Sequence, residues 1–522
     1  LGKTLLINEN YDDACIYLEK AKEIRSDSIN ASILLGKTYK MTGHNKKAIS
    51  LFSDVLDSDY GDENIAYEIA TIYKEERDYK RAVSFIEKAH ENGLDEKEYR
   101  RELDELYWSM IVDIEDLNAH GRYSEAIDEI ERVKKIIPDD DLRLQNTLLG
   151  EREIAQHKTK LESRIRSLTF TLTNRCNLKC LMCESRKKTW DLPDKTVEEI
   201  KSMMPYLERI MWQGGEAFLF ERFEELLDAA SAYPIRQVIA TNGLLMTPPI
   251  AEKLVKYNVE LTFSIDGATK EVYEHVRPGA NFEKVLEKIR MINELRDKYN
   301  PEMPTRLNVL VMKANFKQIE QFLDFAHEYR FTTLFFNSAG CDFKNLSENI
   351  FYYSHDPEVL DHLDKIRDRV AKKAMEYGIR LENWLPSEQF FEDYTQAQGE
   401  EVLDGVKSYE IPESLETGQI EEDEGEPVSE EDDNNVTKHA EKLFCHAPWQ
   451  RLYIDMEGKV RPDCLCPVEK DIGNVKEMSL EELWNSPKII EYRNKVLSDE
   501  YQDFCNPDCV YGRVPEKNLK FI

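Results

Sequence analysis

Cys176, Cys180 and Cys183 stand in the run Thr171-Leu-Thr-Asn-Arg-Cys176-Asn-Leu-Lys-Cys180-Leu-Met-Cys183. Three thiolates at this spacing can hold an iron-sulfur cluster and leave one iron without a protein ligand. An iron with an open position can bind and reduce a substrate or cofactor, which a fully thiolate-ligated cluster does not readily do. Zinc is the competing occupant. Its usual signature is two C-x2-4-C pairs brought together, and this group has no fourth partner close by in sequence. Five more of the ten cysteines fall from Cys445 onward, leaving only Cys15 and Cys341 elsewhere. Clustered soft ligands in a chain this long read as metal or iron-sulfur sites, not as a disulfide framework.

The elements around the first group follow a β-α rhythm from 167 to about 392. Strands are expected at Leu168–Leu172, Arg209–Trp212, Gln237–Ala240, Glu260–Ile265, Thr305–Met312 and Thr332–Phe336. Helices are expected at Val197–Leu207, Glu221–Ala232, Pro249–Tyr257, Phe282–Tyr299 and Phe316–Glu328. Alternating units of this kind imply a parallel sheet with helices outside it and ligands at the C-terminal strand ends. Polar punctuation falls at those ends. After the second strand comes Gln213-Gly214-Gly215-Glu216, where glycines permit close backbone approach and the carboxylate suits an ammonium group. Thr241-Asn242-Gly243 follows the third strand. Ser264-Ile265-Asp266-Gly267 follows the fourth, with Arg277 soon after, and a hydroxyl and a guanidinium fork suit a carboxylate. Asn308 and Asn315 lie near the fifth strand, within reach of a nucleoside. Met182, just before the last cysteine, suits either a cofactor ring or the core.

The cysteine run and these motifs, each after its own strand, resemble the radical S-adenosylmethionine (SAM) superfamily. The resemblance implies a partial (β/α)6 barrel and a [4Fe-4S] cluster on Cys176, Cys180 and Cys183 with SAM on its open iron. By the same likeness Glu216, with Gln213, Gly214 and Gly215, holds the methionyl amino group. Ser264, Asp266 and Arg277 serve the carboxylate end, while Asn242 and Asn308 meet the ribose, methionyl or nucleoside parts. The family's Gly-Gly-Glu is usually followed by proline, where this chain has Ala217, which weakens loop rigidity.

Residues 441–522 resemble the SPASM or twitch extensions of such enzymes, a small α+β cysteine-rich domain. Five cysteines suffice for one auxiliary [4Fe-4S] cluster on Cys445, Cys464, Cys505 and Cys509, with Cys466 spare or exchanging with Cys464. A zinc site is the rival there. Ahead of this domain, 393–440 is an acidic insert: Glu413–Asp433 holds eleven acidic residues and no basic one. Self-repulsion and a lack of burial make disorder the expectation.

Residues 1–140 carry a repeat. Gly36, Tyr39, Ala48, Phe52 and Val55 recur 34 positions later as Ala70, Tyr73, Ala82, Ile86 and Ala89. Ala14, Leu18 and Ala21 continue the series backward. This resembles tetratricopeptide repeats, which stack into an all-α solenoid with a concave face. That face implies recognition of a peptide, carrier or partner, although a purely supporting scaffold fits the same pattern. Residues 141–166 read as a connecting helix.

A net charge of -32 argues against nonspecific binding to nucleic acid or to an anionic membrane. No apolar run is long enough to span a bilayer, and Leu1–Asn8 is soon too polar for a secretory signal, so a cytoplasmic setting is expected. The lack of an initial methionine fits a trimmed start. The resemblance implies a radical enzyme fed by an external electron donor such as flavodoxin or ferredoxin. Its expected work is epimerisation, crosslinking or oxidation of a peptide or protein. A sugar, sugar nucleotide or secondary metabolite is the alternative substrate, and a repeat-bearing adaptor with structural metals is the non-enzymatic one. Cys341, just past the sixth strand, could return a hydrogen atom to a substrate radical, or could be an inert buried thiol.

Overall fold

The structure is a computed structural model and describes residues 1–58, 61–183, 189–338, 357–383, 445–463, 466–467 and 470–498. It divides into two compact units, Leu1–Lys158 and Thr159–Ile522.

The first unit is all helical among its described residues. Its helices are α1 (Gly2–Ile7), α2 (Tyr11–Ile24), α3 (Ile29–Met41), α4 (Asn45–Leu56), α5 (Glu63–Glu75), α6 (Tyr79–Glu91), α7 (Glu96–Ala119), α8 (Tyr123–Val133) and α9 (Leu142–Ala155). Asn10, Ser28, Asp62, Asp78, Asp95 and Asp141 each cap a helix by accepting from a backbone N–H of its first turn. The recurring positions are the packing positions. Ala48, Phe52, Ala70, Ala82, Ile86 and Ala89 are all buried in one core. A side chain at Gly36 would meet the Phe52 ring at 2.6 Å, so α3 and α4 touch only because that position carries no Cβ. The long α7 buries Leu106, Met110, Ile111 and Ile114, and α9 adds Leu144 and Leu148 to the same core.

The second unit is built on one ten-stranded sheet of order β10-β9-β8-β1-β2-β3-β4-β5-β6-β7. Strands β1 (Ser167–Thr171), β2 (Arg209–Gln213), β3 (Arg236–Thr241), β4 (Glu260–Ser264), β5 (Thr305–Val311), β6 (Thr333–Ser338) and β7 (Arg380–Asn383) pair in parallel. Between them run α10 (Asp194–Met203), α11 (Phe223–Ala230), α12 (Pro248–Lys256), α13 (Lys270–Val276), α14 (Phe282–Tyr299), α15 (Ile319–Glu328) and α16 (Pro357–Glu376). One face of β1, β2 and β5 is apolar and buried, with Leu168 and Phe170, Ile210 and Trp212, and Leu307 and Val309. The alternate positions of β5, Arg306, Asn308 and Leu310, are half-buried.

All six expected strands are present, and two further strands, β7 and β8, extend the parallel set at its two edges. Strand β7 reads Arg-Leu-Glu-Asn, too polar for alternation to betray it. Its Glu382 is buried because Arg306 reaches it at 3.2 Å. On the other edge, β8 (Arg451–Ile454) joins β1 in parallel, with Leu168 opposite Leu452. Strands β9 (Lys459–Arg461) and β10 (Gly473–Asn474) then continue antiparallel. A turn at Gly458, with φ +84, joins β8 to β9. No helix among the described residues is long and apolar enough to cross a membrane.

Candidate functional site at the C-terminal strand ends

The loop leaving β1 is closed at its base. Thr173 bridges to Asp191, Asn174 N donates to the Trp190 carbonyl at 3.0 Å, and Leu192 N donates to the Leu172 carbonyl at 2.8 Å. Its middle is pinned to the end of α13: Lys179 N donates to the Pro278 carbonyl at 3.1 Å and Leu181 N to that of Val276 at 2.9 Å. Met182 packs against Val276 and Met312, an apolar role. Of the three cysteines, Cys180 is buried, Cys176 half-buried and Cys183 exposed. The Cys180 thiol is pushed well up by its hydrogen bond with Cys183 and by burial, against the pull of Arg277.

The Gly-Gly-Glu turn after β2 docks on this loop. Gly215 N donates to the Thr173 carbonyl at 2.7 Å and Glu216 N to that of Arg175 at 2.8 Å. Any Cβ on Gly214 would lie 2.6 Å from the Thr173 carbonyl oxygen. Glu216 is buried. Its Oε1 accepts from the Thr241 hydroxyl at 2.6 Å and its Oε2 from Asn242 N at 3.0 Å, so the turns after β2 and β3 hold each other. Burial pushes its carboxyl up to about 7 despite these donors and Arg277. Gln213 ends β2, where its amide donates to Met211 Sδ at 3.4 Å. The Asn242 amide donates to Asn177 Oδ1 at 3.0 Å and lies 3.9 Å from Cys176 Sγ.

The turn after β4 supplies a buried ion pair. Arg277 Nε donates to Asp266 Oδ2 at 2.8 Å, and Asp266 Oδ1 accepts from Leu310 N at 2.8 Å. A second arm of Arg277, Nη1, reaches Cys180 Sγ at 3.8 Å. Burial opposes the Arg277 charge, but Asp266 and Cys180 more than offset it and raise its pKa. Asn315 is an internal brace: its amide donates to the Asp266 and Leu310 carbonyls, and its Oδ1 accepts from Met312 N at 2.7 Å. Ser264 and Asn308 face each other across the β4–β5 register and are half-buried. Asn177 and Tyr273 had no role assigned from sequence, and Thr241, read as part of a ligand-facing turn, gives its hydroxyl to Glu216 instead. Tyr273 is fully buried against Gly267, which could carry no Cβ there.

Of the C-terminal cysteines, Cys445 and Cys466 enter from the opposite end. Because β8 runs parallel to β1, Cys445 precedes the strand end remote from the Cys176 loop. Strand β9 runs back, so Cys466 returns toward the end where Cys445 enters. The Arg461 guanidinium holds the Cys466 carbonyl at 2.7 Å. A strand length, on the order of 15 Å, separates the two ends. Cys341, Cys464, Cys505 and Cys509 lie outside the described residues.

The donor set fits an iron-sulfur cluster. Three thiols share one loop beside a buried cation, the soft donor set that such a cluster takes.

Residues 170–326 match the family model of the Radical SAM superfamily, and residues 445–510 match that of an iron-sulfur cluster-binding domain, SPASM. A mycofactocin maturase of Mycolicibacterium smegmatis is 30% identical over 34% of this chain and 46% of its own length. An AdoMet-dependent heme synthase of Methanosarcina barkeri is 32% identical over 31% of this chain and 47% of its own. The chain thus spans about half the length of the curated relatives it matches. Among solved structures, Streptococcus suis SuiB has a TM-score of 0.46 at 18% identity, covering 72% of this chain and 78% of its own. The chain therefore carries a radical SAM domain and a SPASM domain. The first implies SAM and a [4Fe-4S] cluster, and the second implies auxiliary iron-sulfur clusters.

Proposed function

We propose that this chain is a radical SAM enzyme that removes a hydrogen atom from a carbon of a peptide or protein. The observation that carries the reading is the docking of the three-cysteine loop on both Arg277 and the Glu216 turn, within the region that matches the superfamily. Cys176, Cys180 and Cys183 would hold the cluster. When bound, cluster and SAM supply, for one electron from an external donor of the flavodoxin or ferredoxin kind, methionine and a 5′-deoxyadenosyl radical that abstracts the hydrogen.

The chain's residues do the rest. Glu216 offers a low-dielectric carboxylate to the methionyl ammonium, beyond the donors it already meets in Thr241, Asn242 N and Phe218 N. Arg277 and Ser264 take the carboxylate, while Asn242 and Asn308 flank the nucleoside. The buried faces around them exclude water from a radical. An auxiliary cluster on Cys445, Cys464, Cys505 and Cys509 is part of the same proposal, with Cys466 the alternative to Cys464.

A peptide or protein substrate is favoured by the first unit. Its 34-residue recurrence buries matching positions in one core, which supports tetratricopeptide stacking and a groove suited to an extended chain. Repeats at 1–140, a barrel at 167–392, an insert at 393–440 and an auxiliary domain at 441–522 complete this organisation; of the connecting helix expected over 141–166, only Leu142–Ala155 is helical, and it packs into the first unit's core.

The deciding experiment is anaerobic reconstitution followed by iron counting and a SAM-cleavage assay. The expected result is a [4Fe-4S] signal and 5′-deoxyadenosine formation, with all cleavage and the first cluster's share of the iron lost in Cys183→Ala while the auxiliary cluster remains. Zinc in that loop, or no cleavage under strong reductant, would sink the reading. A finer proposal, epimerisation, rests on Cys341 following β6. Cys341→Ala should end solvent deuterium uptake into product while sparing SAM cleavage, and unchanged product would remove it.

A further inference from the structure

Arg277 has more to do than meet a ligand. Asp266, wholly buried, takes its Nε at 2.8 Å and its Nη2 at 2.5 Å. Asp266 is itself fixed by Leu310 N at 2.8 Å and, through its carbonyl, by the Asn315 amide at 3.0 Å. The guanidinium therefore cannot swing. Its Nη1 is left 3.8 Å from Cys180 Sγ, a hydrogen bond to sulfur across 97 positions of sequence. The backbone enforces the same meeting, since Lys179 and Leu181 bond to the carbonyls on either side of Arg277.

The geometry points to Arg277 as a positioning residue for the first cluster: locked by Asp266, it donates a hydrogen bond to the Cys180 thiolate ligand and raises the reduction potential of the cluster. This rests on the proposed function, which puts a [4Fe-4S] cluster on Cys180. A cation and an N–H···S bond favour the reduced, more negative cluster over the oxidised one, and a low dielectric strengthens both. Three of the five guanidinium N–H groups are engaged in this way, leaving two for a cofactor carboxylate. One planar fork would then join the cluster ligand to the molecule it reduces. Lysine carries its three donors on one nitrogen and lacks the planar fork of separated nitrogens that meets Asp266 and Cys180 here.

The test is made on the anaerobically loaded full chain. The first-cluster signal is identified as the one lost in Cys180→Ala. Its absence in the parent protein would overturn the proposed function, a failure separate from that of this inference. In protein labelled with nitrogen-15 arginine, pulsed electron paramagnetic resonance of that reduced cluster should show arginine nitrogen coupling. The coupling should survive Arg175→Lys and Arg186→Lys, which remove the two arginines that flank the three cysteines in sequence. Loaded Arg277→Lys should lose the coupling and shift the potential downward at unchanged iron content. No coupling in the parent, coupling that vanishes with Arg175→Lys or Arg186→Lys, or an unshifted potential in loaded Arg277→Lys would each overturn the inference. The labelled parent gives its answer even if the Arg277 variant takes up no cluster.

Discussion

Glu216 spends its burial on a carboxyl that resists ionisation. Burial is the largest influence and lifts it from 4.5 to about 7, while Thr241, Asn242 and Arg277 pull it down. A raised carboxyl binds its proton more tightly folded than unfolded. Its stabilising contribution is thus full below the unfolded value and is lost as pH climbs through the folded one. The cofactor-free protein should therefore lose thermal stability between about pH 4.5 and about pH 7. Melting temperatures across that range should fall in the parent and stay flatter in Glu216→Gln. A methionyl ammonium favours the ionised form, so affinity for SAM should rise with pH through the same interval. Calorimetry in buffers of differing ionisation enthalpy would register the released proton, and Glu216→Gln should release none. The cysteines were legible because their chemistry lies in their spacing. The Thr241 hydroxyl was not, since its partner sits 25 positions earlier on another strand's turn.

Among the elements, strands announced themselves where alternation is clean, as in Thr305–Val311 with its buried odd positions. Helix α16 was passed over although Leu363, Ile366, Val370 and Ala374 mark one buried face at helical spacing. Helix α13 spans only seven residues, too few for periodicity to speak, yet it delivers Arg277. Turns impose their own demands. Gly214→Ala would force a Cβ to within 2.6 Å of the Thr173 carbonyl oxygen. That substitution should cost about 1–3 kcal/mol by chemical denaturation and lower iron loading, because the cysteine loop leans on the same backbone. In the first unit, Phe52→Ala should cost about 3–5 kcal/mol, since it empties the contact that Gly36 was left bare to make. Urea unfolding followed by circular dichroism would check it; a loss under about 1 kcal/mol would mean that the α3–α4 contact is not a packed core.

For the second unit as a whole, the consequential feature is that β8, β9 and β10 belong to the same sheet as β1 to β7. Leu452 lies opposite Leu168, Trp484 Nε1 donates to the Ser163 carbonyl at 2.7 Å, and Arg493 holds the Thr159 carbonyl at 2.8 Å. Two halves that share a sheet should unfold together. Leu452→Asp buries a charge between β8 and its neighbours, a change costing about 3 kcal/mol or more. It should lower iron loading in the Cys176 loop as well as near Cys445, while the unit still melts in one transition. Separate transitions for barrel and extension in the parent protein would contradict this.

Spacing along the chain determined the ligand loop, the parallel β-α rhythm and the 34-residue recurrence, because each is a local pattern that covalent distance and residue type express directly. Tertiary structure alone decided that Arg277 rests on Cys180, that Glu216 ties two turns together, and that β8 enters beside β1. These depend on which distant segments find one another once the apolar strand faces are buried. No count of residues along the chain contains that pairing.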